Sequence, residues 1–591
     1  MSELVADFVL KRLHEWGVRR IYGYPGDGIN GFLGALDRQQ DELDFIQARH
    51  EEMAAFMACG HAKFTSEVGV CMATSGPGAI HLLNGLYDAK MDHQPVVAIV
   101  GQQKRTSLGT SYQQEVDLQV LFKDVSAYVQ VCMEPAQARQ LVDRALRIAL
   151  DQRTVSTIVF PNDVQEMKAV ASPPRAHGSV YTSIGYTAPR IVPREEQLDR
   201  AAEILNEGKK VAILVGQGAA KAEDEVIEAA ELLGAGVAKA LLGRAVVPDD
   251  LPFVTGSVGL LGSIPSYEMM ESCDTLFLIG TSFPYAEFLP KEGQARCVEI
   301  DIDGRMIGIR YPDDEMLIGD AQETLKELLP RLERKEDRSW REQIESNVKE
   351  WHQIVADRAH MEADPLNPQR VMWELSQRLP DDAIVCADSG SSTNWWARQL
   401  VLRKGMMASL SGNLATMGPG TPYAIAAKFA YPDRHVIAVV GDGAFQMNGM
   451  NELITVKRYW ERWSNPSLIF CVFNNQDLNQ VTWEQRVMEG DPKFEGSQWI
   501  PDVPYHRFAE LIGLQGFYCE SDSEIGEIWA EALKADRPCV LEVKTDPEIP
   551  PLPPHIREEQ AEKMAKAMVK DPERVGVMKK SLLGKLVEFK D

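Results

Sequence analysis

Apolar residues follow two alternating rhythms along this chain. Short continuous runs read as strands buried on both faces, and the stretches between them repeat their apolar positions at helical spacing. Val5, Phe8, Val9 and Leu13 make one helical face that ends at Gly17-Val18, and Ile21-Tyr22-Gly23 begins a strand. A helix from Ile29 to about Leu36, a strand at Phe45 to Ala48 and an Ala-rich helix from Met53 follow. Val68 to Ala73 and Pro95 to Val100 read as strands around a helix from His81 to Ala89. An amphipathic helix over 136–150 leads to a last strand, Thr157 to Pro161. The same rhythm returns at Val211 to Val215, Thr275 to Gly280 and Cys297 to Asp303, and again at Ala383 to Asp388, Arg434 to Val440 and Leu468 to Phe473.

Strands alternating with helices predict an α/β fold with mainly parallel sheets flanked by helices. Three such domains are expected, at 1–170, 190–335 and 360–548, with a C-terminal arm at 549–591. Residues 166–192 are rich in Pro, Ser and Thr and read as a linker. The charged stretch 334–364, with Trp340 and Trp351, reads as a surface helix joining the second and third domains.

Composition narrows this picture. At 591 residues the chain exceeds one core, and an apolar fraction of 45% marks it as globular. A net charge of -25 without a basic stripe excludes nucleic acid as a partner. The nine cysteines form no C-x-x-C pair, and no signal-peptide pattern or membrane-length apolar run occurs, so a reduced, cytoplasmic setting is expected.

Candidate chemistry centres on Gly441-Asp442-Gly443-Ala444 and, about thirty residues on, Asn474-Asn475. Each follows a buried apolar run, and ligands of parallel sheets sit beyond the carboxyl ends of the strands. Gly441 and Gly443 admit a bound group close to the backbone. Asp442 and Asn475 offer hard oxygens for one Mg²⁺, which points to a diphosphate cofactor. Ser389-Gly390-Ser391-Ser392 follows another strand and is suited to bind phosphate through backbone N–H groups. Glu51 opens the Ala-rich helix; it reads either as an acidic residue favoured by the helix dipole or as a functional carboxyl. His50 and His61 lack metal-pair spacing and read as local hydrogen-bonding residues. Val211 to Gly218 lacks the full G-x-G-x-x-G fingerprint, so a nicotinamide site is not expected there.

The G-D-G, helix, strand, N-N order resembles the thiamine-diphosphate motif, and Arg49-His50-Glu51-Glu52 resembles the segment bearing that family's cofactor-activating glutamate. The likeness covers about residues 3–548 and is nearest to the pyruvate oxidase and acetolactate synthase group, pyruvate oxidase above all. It implies a pyrimidine-binding domain first, a flavin-binding-type domain in the centre and a diphosphate-binding domain last. In such enzymes a buried carboxylate opposite N1′ of the aminopyrimidine favours the imino tautomer that removes the C2 proton; Glu51 matches it. Gln114 and Glu484 match active-site positions, and Met417 matches the bulky residue that bends the cofactor. Pro25, Gly26, Thr74, Gly76 and Asn84 are expected about the pyrimidine. Gly390, Ser391, Gly412, Asn413, Gly441, Gly443 and Ala444 are expected along the rest of the cofactor. Asp477 joins Asp442 and Asn475 at the metal, through its backbone carbonyl.

In the centre, Gly256 to Gly262, Gly280 to Glu287, and Glu299 to Asp303 with Gly319-Asp320 resemble FAD-binding segments. Gly218, Gly262, Gly280, Thr281, Phe283, Asp301, Asp303 and Asp320 are the flavin candidates. Two positions depart from the oxidase pattern: Gln113 and Gln480 replace expected aromatics. The resemblance implies oxidative decarboxylation of a 2-oxo acid, pyruvate first, with electrons passed to oxygen or a quinone. Acetolactate-synthase-like carboligation and non-oxidative decarboxylation are the alternatives, and a non-catalytic binding or scaffold protein is the reading from a different class. A homodimer is the smallest unit expected, with a homotetramer next. Quinone-using relatives meet the membrane through their C-terminal segment, but Pro572 and Gly576 interrupt this one; a lid or subunit-contact arm is expected instead.

Overall fold

β-Branched and aliphatic residues dominate the strands, as burial on both sheet faces requires. The computed structural model describes residues 3–589, and its sheets are three, each of six parallel strands. The first contains β1 (Arg20–Gly23), β2 (Asp44–Gln47), β3 (Gly69–Ala73), β4 (Val96–Gln102), β5 (Tyr128–Val131) and β6 (Val155–Pro161), in the order β2-β1-β3-β4-β6-β5. The central sheet contains β7 (Val211–Val215), β8 (Gly236–Lys239), β9 (Val254–Ser257), β10 (Thr275–Ile279), β11 (Arg296–Asp301) and β12 (Glu315–Ile318), in the order β12-β11-β10-β7-β8-β9. The third contains β13 (Ile384–Ala387), β14 (Met407–Ser409), β15 (Val436–Gly441), β16 (Leu468–Asn474), β17 (Gln515–Cys519) and β18 (Cys539–Lys544), in the order β14-β13-β15-β16-β18-β17.

The first and third sheets therefore share one wiring, while the central sheet has the dinucleotide-fold order 3-2-1-4-5-6. Every sheet has one place where successive connections depart in opposite directions. These switch points lie between β1 and β3, between β7 and β10, and between β13 and β15. A crevice opens there at the carboxyl ends, because the two loops diverge.

Helices Glu51–Thr65 and Gly420–Ala430 pack on each other and merge the cores of the first and third domains, with Phe56 edge-on to Tyr423. The helix expected as a surface linker is in fact half core. Ser339–Ala359 buries Trp340, whose indole N–H donates to Val211 O at 3.0 Å, and it also buries Trp351. Its charged residues occupy only the remaining face, which is why composition alone made it look solvated.

Candidate active site

The third sheet brings its candidate residues to its switch point. β15 and β16 run in register as far as Gly441 opposite Phe473, so Asp442 and Asn475 leave the sheet side by side. Asp442 is buried, and its carboxylate accepts N–H bonds from Gly443 at 2.8 Å, Asn475 at 3.0 Å and Gln476 at 2.7 Å. Burial nevertheless pushes its pKa up to about 7, because the donors offset only part of the lost solvation. Asn475 Oδ1 accepts the Asp477 N–H at 3.0 Å. The Asp477 carboxylate turns away, to Thr482 Oγ1 at 2.9 Å and Asn479 Nδ2 at 3.1 Å. An acceptor-rich set of carboxylate, amide and carbonyl oxygens is what Mg²⁺ takes.

Across the crevice, Gly390 (φ 117°) turns the chain into helix Ser391–Gln399, whose N-terminus carries Ser391. A Cβ on Gly390 or Gly441 would meet nothing within 4 Å among the described residues, so the backbone there is open to a ligand. Ser392 Oγ is buried without a hydrogen-bond partner. Open backbone, a helix N-terminus and an orphaned hydroxyl fit a diphosphate. Met417 lies beside this crevice; a Cβ on Gly443 would sit 3.6 Å from its methyl carbon. Its loop is fixed by Asp388, which accepts the N–H groups of Gly418 and Gly420, each at 2.9 Å.

The first sheet's switch point holds Pro25, Gly26, Thr74 and Gly76. Thr74 Oγ1 accepts the Gly28 N–H at 2.9 Å and ties the two loops together. Gly76 abuts Gln114, itself at φ 61°, and Ser75 Oγ reaches Gln114 Oε1 at 3.4 Å. Glu51, 7% exposed, is the first residue of its helix. His81 Nδ1 lies 2.9 Å from Glu51 Oε2, and the His81 ring stacks on His50 with centroids 4.4 Å apart. A Cβ on Gly78 would come within 3.0 Å of Glu51 Oε1, so glycine keeps this face of the carboxyl clear. His50 caps the same helix by accepting the Glu52 N–H, as a local hydrogen-bonding residue would.

Asn84 joins the two domains: its Nδ2 donates to Glu52 Oε1 at 2.6 Å and to Thr416 Oγ1 at 3.1 Å. Gly412 and Asn413 sit on the same seam, because Asp92 accepts both backbone N–H groups at 2.8 Å. Lys63, Asp88, Ser411 and Tyr423 complete that buried junction. Gln480 bonds Asn394 at 2.8 Å and Glu484 at 2.9 Å; Glu484 itself is exposed, on the solvent side of helix Asn479–Glu484.

In the central domain, Gly218 and Gly280 face each other at the switch point. A Cβ on Gly280 would lie 2.6 Å from the Gly218 carbonyl carbon. Thr281 Oγ1 accepts the Phe283 N–H at 3.3 Å, and Phe283 packs beside Gly259. Ser257 Oγ is buried and unpartnered, at the start of the Gly259–Gly262 loop. Burial raises the Asp301 carboxyl, whose Oδ1 accepts the Asp303 N–H at 2.8 Å. Asp303 is held low by Arg305, and Asp320 caps helix Ala321–Leu328. An orphaned hydroxyl and an open acidic strand end at this crevice fit a dinucleotide. Arg398 of the third domain closes it from below, donating to Leu260 O at 2.7 Å and Gly262 O at 3.3 Å.

Four residues that sequence did not single out thus organise the site: His81, Asp92, Asp388 and Arg398. Asp388 carried a readable signal, as a strand-end carboxylate before Ser-Gly-Ser. In the arm, Gly576 does not interrupt as expected but lies inside a helix. The break at Pro572 separates two helices, Glu558–Met568 and Arg574–Leu586, and both dock on the third domain. The second exposes Val575, Met578, Leu582 and Leu586 along one stripe. No described helix is long and apolar enough to cross a membrane.

Family models match the chain in the same order as its sheets. The N-terminal domain of thiamine pyrophosphate enzymes matches residues 4–121, the central domain 198–328 and the C-terminal domain 388–543. A putative thiamine pyrophosphate-containing protein of Bacillus subtilis is 38% identical, over 95% of this chain and 94% of its own length. A pyruvate oxidase of Lactiplantibacillus plantarum is 30% identical, over 89% and 85%. A probable acetolactate synthase large subunit of Methanococcus aeolicus is 31% identical, over 92% of each. With its domain order, its sheets and its relatives in agreement, the chain belongs to the thiamine pyrophosphate enzymes, as a 2-oxo-acid-processing member of the pyruvate oxidase and acetolactate synthase superfamily.

Proposed function

We propose that this enzyme oxidatively decarboxylates a 2-oxo acid, pyruvate first, using thiamine diphosphate, Mg²⁺ and FAD, and passes the electrons to oxygen or a quinone. The observation that carries the oxidative reading is the central domain. Its sheet has a dinucleotide-fold order; Gly218, Gly280 and Thr281 lie at its switch point, Asp301 ends the neighbouring strand β11, and the unpartnered Ser257 hydroxyl ends β9.

Bound thiamine diphosphate supplies the electron sink that lets a 2-oxo acid lose carbon dioxide. The chain's own groups hold and protonate. Asp442 and Asn475, with the Asp477 carbonyl, would hold Mg²⁺, and the N-terminus of helix Ser391–Gln399 would take the diphosphate oxygens. Glu51 would hold a proton opposite the pyrimidine N1′, with His81 fixing the direction of its carboxyl. Met417 shapes the pocket between the two ends. Gln114 and the Gln480–Glu484 pair are the polar groups placed to order substrate or water.

The test is an absorbance spectrum of the protein reconstituted with all three cofactors. Pyruvate is added without oxygen, and then oxygen or a quinone is admitted. A flavin band that bleaches and returns is the expected result and names the acceptor. Bound flavin that stays oxidised while pyruvate disappears would instead establish carboligation. Loss of pyruvate with no flavin bound would establish non-oxidative decarboxylation.

A further inference from the structure

The C-terminal arm reaches the metal loop through a chain of buried charges. Arg486 lies in the wide turn Gln485–Glu489 that continues helix Asn479–Glu484, and its side chain is fully buried. Its Nε and one terminal nitrogen donate to the two oxygens of Asp571, each at 2.8 Å, and that nitrogen also reaches Glu573 at 2.8 Å. Lys493 then bridges outward to inward. Its Nζ lies 2.6 Å from Glu573 Oε1 and 3.4 Å from Asp477 Oδ1, and its backbone N–H donates to Asp571 at 2.9 Å. Two cations and three carboxylates thus share one largely dry site, two of the acids coming from the arm. Trp483, Ala567, Met568 and Val577 pack beside it as an apolar cluster.

We propose that Asp571 and Glu573 are positioning residues for the metal site, so that Mg²⁺ affinity depends on a docked arm. This rests on the reading of Asp442, Asn475 and Asp477 as the Mg²⁺ ligands. The physical path is short. Lys493 faces the Asp477 carboxylate at 3.4 Å, alongside its hydrogen bonds from Thr482 and Asn479, and the Asp477 N–H holds Asn475 Oδ1 at 3.0 Å. Moving Lys493 therefore displaces an amide oxygen and a carbonyl oxygen together. Mg²⁺ demands near-ideal octahedral geometry, so it is the ligand that reports such a shift best. Without the arm's carboxylates, Arg486 and Lys493 would remain as buried cations short of partners, and the wide turn would rearrange to hydrate them. Wide helical turns recur at functional sites for this kind of adjustable geometry.

The experiment titrates Mg²⁺ into the full chain at saturating thiamine diphosphate, followed by calorimetry. Glu573→Gln removes the charge that faces Lys493 and one of the two acids on Arg486 but leaves the two-bond Arg486–Asp571 pair, so the protein still folds; circular dichroism checks this. Roughly tenfold weaker Mg²⁺ binding is expected, as for the loss of one charge-assisted hydrogen bond. Lys493→Gln should weaken binding similarly, and the double variant should be no worse than Glu573→Gln alone, since both break the Lys493–Glu573 link. Glu573→Asp should recover part of the affinity, and Glu562→Gln, exposed on the arm, should leave it unchanged. Wild-type Mg²⁺ affinity in both Glu573→Gln and Lys493→Gln would overturn the proposal while leaving the metal site standing. A wild-type chain that binds no Mg²⁺ with thiamine diphosphate would overturn the metal reading itself, and the proposal with it.

Discussion

Glu452 shows how one residue of the third domain shapes the first. Its Oε1 accepts the Arg49 N–H at 2.6 Å, just before the helix that Glu51 opens, and its other oxygen is buried without a partner. Burial pushes this carboxyl up to about 7 from an ordinary value of 4.5. A carboxyl with a higher pKa folded than unfolded binds more protons in the folded state. Its contribution to stability is therefore greatest below pH 4.5, falls as pH rises to about 7, and is constant above. Glu452→Gln keeps an oxygen for Arg49 and removes the titration. The stability of the wild type relative to this variant should decline across that window in urea denaturation. Parallel stability curves for the two proteins would refute the assignment. Such residues are where reading the sequence stops short. Asp442 stood out because it ends an apolar run between two glycines, whereas Glu51 was left open by its surroundings and singled out by the resemblance of Arg49-His50-Glu51-Glu52. Glu452 and His81 were not legible, because their meaning comes from partners brought near only by the fold.

At the scale of elements, the strand ends determine where chemistry can occur. The continuous apolar runs betrayed the parallel sheets, and the glycines after them betrayed the loops. Strand order was not legible, because pairing between distant strands leaves no local periodicity. Where the tail packs was not legible for a related reason: Asp571 and Arg486 are 85 residues apart, and neither looks buried by composition. The central crevice offers a test of close packing. A Cβ on Gly218 would stand 2.8 Å from Gly280 Cα, a backbone atom that cannot swing aside. Gly218→Ala should cost about 1–3 kcal/mol, as overpacking does. It should also weaken FAD binding relative to thiamine diphosphate binding, both read by fluorescence titration. Unchanged stability and flavin affinity would show that the loop has slack the structure does not suggest.

At the scale of the molecule, the candidate residues fall into two groups, one on the first domain and one on the third. Among the described residues, no hydrogen bond or ion pair joins the Glu51–His81 group to the Asp442–Asn475 group. If each cofactor is shared between two copies, as the resemblance implies, variants in the two groups complement each other. Glu51→Gln should keep cofactor binding and lose about 10²–10⁴-fold in turnover, the usual worth of a positioned acid or base. Asp442→Asn should fail at the metal. Unfolding and refolding the two inactive variants together should then restore about a quarter of wild-type activity, because half the dimers are mixed and each carries one intact site. No recovery, with mixed dimers shown by mass, would place both groups in one chain's site.

The repeated strand order of the first and third sheets gives this arrangement a further meaning. The two sheets share one backbone wiring, but their loops carry different groups. One has the Glu51 carboxyl on a helix and Thr74 at its fork; the other has the Gly390 turn and the oxygens of Asp442 and Asn475. On the proposed function each sheet supplies what the other lacks, so a mutation that disables one is not rescued by the other in the same chain. Shared wiring then confers specialisation without redundancy.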